Sequence, residues 1–357
     1  MSTVTTSFTR YYGLPNGAAQ AYYVCEKFLN EKSPILFVSA QDLDDFDHAA
    51  HEFAPANATL LTFPATDTGQ MHFLHQLLNH KSGPVLISAP YEALQTPLPD
   101  VRDFHARTHI FRRGDTLRRQ EVLDILESAG YTRDDYAETP GQYAARGSVV
   151  DIFCLHRPEP LRLYVSGNRL DSISTFDVDS HNTQSAADEA LILPLSFDEK
   201  PCTLADFLPN ARYIFDEPPA DTDLTAYPGC AVFTLLPADE AVNCNLKANL
   251  SFGANIQLLT QETERLIKQN IHVIITCLNR GELDRMSELL ETIPVFKRVD
   301  FKISPLTQGF INEHKKFAFI TSNEILSRRF SAARVLKRFD VQHAKHVRFK
   351  ELQAGDY

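Results

Sequence analysis

Four short stretches carry residue types that could do chemistry. "GLPNGAAQ", Gly13 to Gln20, has the outline of a phosphate-binding loop of the G-x-x-x-x-G-K-[ST] type. In a working loop, glycines let backbone N–H groups approach the phosphates, a lysine neutralises charge, and a hydroxyl holds magnesium. Here Gly13 and Gly17 stand within the outline, but the last three positions hold Ala18, Ala19 and Gln20. Triphosphate binding would therefore lack its main electrostatic terms. "ARYIFDEP" complements this loop: an apolar strand ends in Asp216 and Glu217, as in a Walker B segment whose first acid would hold magnesium. "QYAARG" and "PLRLYVS" supply Arg146 and Arg162, whose guanidiniums suit carboxylates of a protein partner if both face the same side of a small sheet. The competing reading is that both pair with local acids such as Asp151 or Asp171.

No other catalytic set stands out. His48 with His51, and His72 with His75, are spaced three apart on predicted helices, where such spacing can face one metal. Neither pair has a third ligand at a telling distance, so solvent-exposed helix histidines are expected. The six cysteines (Cys25, Cys154, Cys202, Cys230, Cys244 and Cys277) include no C-x-x-C pair. That disfavours a zinc site or disulfide framework and fits a reducing cytoplasm. No catalytic residue, metal or cofactor is expected in this chain.

The elements that must position these residues follow from hydrophobic patterning. Over the first hundred residues, strand-length apolar runs such as "SPILFVSA", "ATLLTFPA" and "GPVLISAP" alternate with helical periodicity in "QDLDDFDHAAHEF" and "QMHFLHQLLNH". That alternation predicts a parallel sheet covered on both faces. "GDTLRRQEVLDILESAGY" predicts an amphipathic helix capped by Thr116 and ended by Gly130. β signals without intervening helices follow it and predict an antiparallel α+β insertion. After "ARYIFDEP" comes a loop-rich stretch. "NIQLLTQETERLIKQN", "IHVIITCL" and "NRGELDRMSELLETI" then read as helix, strand and helix of a small separate α/β domain.

At 357 residues, two to four domains are expected. A net charge of −11 disfavours a chain that coats nucleic acid by general electrostatics. One run departs from this balance: Arg328 to Lys350 holds eight Lys or Arg residues and a single acid, Asp340. It reads as a solvated face or a linker docked on the chain's own acidic surface, with direct DNA contact as the sharper alternative. No apolar run approaches the ~20 residues of a membrane-spanning helix, and no signal peptide is visible.

Beyond generic chemistry, "GYTRDDYAETPGQYAARGSVVDIF", "RLDSISTFDVDSHNT" and "TLADFLPNARYIFDEP" closely resemble, in order, the motifs of the UvrB-like module family. That family is shared by the excision-repair protein UvrB and the transcription-repair coupling factors (Mfd). Departures separate the two branches: UvrB keeps a complete phosphate loop, whereas the N-terminal module of the coupling factors has lost it. Ala18, Ala19 and Gln20 therefore point to the coupling factors, with Asp216 and Glu217 as a vestigial Walker B pair. The resemblance implies a degenerate P-loop-type domain over residues 1–113 and an inserted α+β UvrA-interaction domain over 114–199. It further implies a return to the first domain over 200–250, a small α/β domain over 251–339, and a basic linker over 340–357 toward a polymerase-interacting domain.

The family also implies a non-catalytic module that recruits UvrA in transcription-coupled nucleotide excision repair, with Arg146 and Arg162 as contact residues. An aromatic contact expected four residues after the second arginine is replaced here by Ser166, with Tyr164 nearby. The rest of a longer, cytoplasmic protein would carry RNA polymerase and duplex DNA contacts, and an ATP- and magnesium-dependent translocase. The alternative is a helicase lobe that still binds ATP through an unusual loop.

Overall fold

The computed structural model describes residues 8–29 and 33–327; the basic run Arg328 to Lys350 and the linker expected over 340–357 lie outside them. The chain divides into two compact units, Met1–Leu60 with Arg212–Tyr357, and Leu61–Ala211.

The first unit is built on a parallel sheet. Thr9–Tyr12 lies between Ala231–Phe233 and Val242–Asn243, while Arg212–Asp216 lies between Ala231–Phe233 and Ile35–Ser39. All five residues of Ile35–Ser39 are buried, as a strand covered on both faces requires. Asn16 starts the helix Gly17–Lys27 by accepting from the Ala19 N–H through its side chain. The next helix, Asp44–Phe53, packs Phe46 flat on Phe37, with ring centroids 3.8 Å apart. Gly17 is required where these helices meet, because a Cβ there would sit 2.8 Å from the Phe46 backbone nitrogen.

A second sheet in this unit runs in the order Leu246–Ala248, Phe310–Asn312, Phe317–Thr321, His272–Cys277, Asp300–Ile303. Helices Ile256–Lys268 and Arg280–Leu290 contribute Leu259, Leu266, Met286 and Leu290 to its core. The segment from Lys302 to Gly309 lies along helix Asp44–Phe53: Glu52 takes Lys302 and Ser304, Asp45 takes Thr307 and Gln308, and the Asn16 amide donates to the Gly309 carbonyl.

The second unit holds a six-stranded sheet in the order Thr183–Ala187, Arg169–Phe176, Leu161–Ser166, Val149–Ile152, Gln142–Arg146, Thr132–Arg133. It is antiparallel except for its last pair. One face buries Tyr143, Val150, Ile152, Leu161, Leu163 and Val165 beneath helix Arg119–Ser128. That helix starts two residues later than its sequence suggests, with Arg118 at the N-cap. The Glu121 carboxylate accepts from the Arg118 backbone N–H and guanidinium at the helix start, while Thr116 bridges to Arg169. The expected Thr116 cap is thus replaced, because the backbone there is committed to the sheet. Gly130, at φ +90°, ends the helix as expected. Among the described residues, no helix is long and apolar enough to cross a membrane.

Candidate functional site: a loop of phosphate-binding outline and an arginine-bearing sheet face

The phosphate-loop outline is in place as backbone. Gly13 turns with φ +75°, and the helix begins at Gly17. What the loop presents is changed. Ala18 and Ala19 are fully buried, so the position of the missing lysine points into protein. Gln20, at the hydroxyl position, donates its side-chain amide to Asp216 at 2.8 Å, and Ser39 donates to the other carboxylate oxygen at 2.8 Å. The structure thus joins one end of the loop to the Walker B-like acid. Glu217, in a left-handed turn at φ +44°, accepts from the Leu235 N–H. Burial pushes the Asp216 carboxyl up to about 6, with the Glu217 charge adding to it and the Ser39 and Gln20 hydrogen bonds opposing.

A cavity of about 280 Å³ opens over this pair. Asp42, Asp45, Asp216 and Glu217 line it, and among the described residues no lysine, arginine or histidine does. The charged side chains lining it are all acids, which repel a polyphosphate.

The arginines lie in the second unit. Cross-strand register pairs Arg146 with Val149 and Val149 with Tyr164; the neighbouring row pairs Ala144 with Asp151 and Asp151 with Arg162. Alternation therefore places Arg146, Arg162 and Tyr164 on one face, opposite the core that holds Tyr143 and Val150. The two guanidiniums are held differently. Arg162 grips Asp151 through Nε and Nη2 at 2.7 and 2.9 Å, and donates through Nη1 to the His181 carbonyl at 2.9 Å. That grip raises its already high pKa. The reading that pairs it with Asp151 is correct for Arg162. Arg146 is exposed, donates to the Asp135 carbonyl, and lies 3.9 Å above the Tyr136 ring.

Sequence reasoning overlooked Tyr136, Phe176 and His181, which contact these arginines from two loops and a strand end. Nothing in local periodicity signals such contacts. Tyr164 is 43% exposed and shares the outward side of its strand with Ser166, so this face retains a tyrosine two residues before the serine.

The histidine pairs meet expectation only in part: His51 is exposed, whereas His48, His72 and His75 are not. His48 is buried rather than exposed, with Nδ1 2.6 Å from the Asp44 carbonyl oxygen, because its helix is covered both by Gly17–Lys27 and by the segment after Ile303. His72 is half-buried and stacks on His156, with centroids 5.4 Å apart and planes 12° apart.

Comparison with known proteins agrees with this geometry. Residues 110–197 match the UvrB interaction domain, a stretch that contains both arginines. The transcription-repair-coupling factor of Escherichia coli (strain K12) is 28% identical over 127 residues, covering 36% of this chain and 11% of that protein. Its counterpart in Haemophilus influenzae is 30% identical over 127 residues, again 36% and 11%. UvrABC system protein B of Thermus thermophilus is 35% identical over 77 residues, 22% of this chain and 12% of that protein. The matched stretch is thus a small part of each relative's length. Residues 110–197 thus match the UvrB interaction domain, and the chain is similar over part of its length to transcription-repair-coupling factors and to UvrABC system protein B.

Proposed function

We propose that this chain is a recruiting module, not a motor: it binds UvrA through the Arg146–Arg162 face and serves transcription-coupled nucleotide excision repair. The observation that carries the reading is the position of both arginines on one outward sheet face inside the stretch that matches the UvrB interaction domain. The relict loop supports the non-catalytic half, since Gln20 closes directly on Asp216 and the cavity beside them is lined by acids. In this reading residues 114–199 do the recruiting. ATP-driven DNA translocation and displacement of stalled RNA polymerase belong to other parts of a longer cytoplasmic protein.

The test is co-elution of the chain with UvrA on size exclusion. The wild-type chain co-elutes, and Arg146→Glu abolishes co-elution with an unchanged thermal melt, because Arg146 is exposed. Normal co-elution of Arg146→Glu would show that the partner uses another surface. Arg162→Glu is a poorer probe, since it would set a second carboxylate against Asp151 and destabilise the sheet itself.

A further inference from the structure

Arg146 and Arg162 sit at opposite ends of one stack. The Arg146 guanidinium carbon is 3.9 Å from the Tyr136 ring centroid. Tyr136 and His181 follow at 5.0 Å and 33°, then His181 and Phe176 at 6.3 Å and 29°. The Arg162 guanidinium carbon closes the series 4.6 Å from Phe176. Each cation also takes a backbone carbonyl from the loop that supplies the rings: Arg146 from Asp135, beside Tyr136, and Arg162 from His181 itself. Phe176 anchors the series in a small core with Ala137, Ala144 and Phe153. His181, at φ +55°, holds a left-handed turn that brings its carbonyl and its ring to bear together.

A free arginine side chain samples many rotamers, and binding through it must order them. Aromatic faces attract guanidiniums, and a ring that is itself packed fixes where the cation lies. We propose that Tyr136 and His181 are positioning residues of this face: they hold the two guanidiniums as a preset pair, so a partner carboxylate meets arginines that are already ordered. The role assigned to the pair rests on the UvrA-binding reading above; the stacking itself does not.

The experiment uses the whole chain and two readouts. In a UvrA binding titration, Tyr136→Ala weakens affinity about tenfold, while Tyr136→Phe, which keeps the ring, binds like wild type. Once Arg146→Ala is present, adding Tyr136→Ala costs less than about twofold, since Tyr136 acts through Arg146. His181→Asn tolerates the left-handed turn and keeps the carbonyl that Arg162 takes but lacks the ring that backs Tyr136, so it weakens binding, and less than about twofold once Arg146→Ala is present. The second readout needs no partner. In arginine-side-chain NMR the Arg146 Nε–Hε proton is shifted upfield by the Tyr136 ring current, Tyr136→Ala returns it to its ordinary position, and Tyr136→Phe leaves it in place. Fully additive losses for Tyr136→Ala and Arg146→Ala would overturn the proposal by making Tyr136 a direct contact, and so would an Arg146 resonance indifferent to Tyr136→Ala. If Arg146→Ala binds UvrA like wild type, the partner reading fails, and the NMR arm still decides whether Tyr136 orders Arg146.

Discussion

Gln20 and Asp216, 196 residues apart, meet at 2.8 Å through an amide-to-carboxylate hydrogen bond. In a working phosphate loop a hydroxyl at the Gln20 position and the acid at Asp216 would hold a magnesium ion between them. Here the longer side chain spans that gap itself. A fluorescent ATP analogue titrated into the chain with magnesium is therefore expected to show no saturable binding; a magnesium-dependent isotherm would instead favour a helicase lobe. Gln20→Ala does not open the site, because the acidic lining remains. It lowers unfolding free energy by about 1–2 kcal/mol in urea melts, by leaving a buried carboxylate short of a donor.

Asp216 also gives a pH dependence with a definite sign. Its folded-state pKa is raised to about 6 by burial, above the ordinary carboxylate value of 3.8. The folded chain thus holds this proton more tightly than the unfolded chain. The stabilising contribution is full below pH ~4 and is lost as pH rises through ~6. Asp216→Asn mimics the protonated form and can still accept from Gln20. It should stabilise the chain by about 2 kcal/mol at pH 7.5, with the gap shrinking as pH falls from 6 toward 4. A gap that stays constant with pH would rule out the carboxyl as its source.

How much of this was legible beforehand depends on the range over which each feature is written. Strand Ile35–Ser39 and helix Ile256–Lys268 follow from apolar period, and Gly130 marked its helix end through the left-handed turn it permits. The departures of Ala18, Ala19 and Gln20 from a phosphate-loop pattern could be read directly, because that pattern is local. Partners could not. The bond from Gln20 to Asp216, the grip of Arg162 on Asp151, and the burial of His48 all depend on which segments the fold brings together. Thr116 illustrates the same limit at short range: it has cap chemistry, but its backbone bridges to Arg169, and the Glu121 carboxylate accepts from the Arg118 N–H at the helix start instead.

The His72–His156 stack gives the opposite pH slope to Asp216. Burial holds the His156 imidazole down to about 4, and the neighbouring His72, Arg157 and His75 push the same way. Burial also lowers His72, and both Nδ1 atoms are buried without a hydrogen-bond partner among the described residues. A base with a depressed folded-state pKa binds fewer protons in the fold than in the unfolded chain. Its contribution is therefore full above pH ~6.5 and is lost as pH falls toward ~4. Hydrogen exchange should show residues around helix Asp67–Leu78 and the loop at His156 losing protection between pH 6.5 and 5. His156→Phe, which keeps a ring and cannot take a proton, should flatten that loss. Equal loss in wild type and variant would place the sensitivity elsewhere.

Arg162 and Asp151 let stability and binding be separated. The pair is bidentate, lies on directly opposed residues of neighbouring strands, and is largely shielded from solvent. Asp151→Asn keeps the shape and one acceptor oxygen but removes the charge that neutralises Arg162. The fold should lose about 1–2 kcal/mol, less than for a fully buried pair because solvent still reaches both groups. The face meanwhile becomes one unit more positive, with Arg162 still held by Phe176 and the His181 carbonyl. If the partner surface is acidic, UvrA affinity rises while the melting temperature falls, and the gain fades as salt is added. A purely structural Arg162 predicts a lower melt with affinity unchanged or reduced at every salt concentration. The two readings therefore differ in the sign of the binding change.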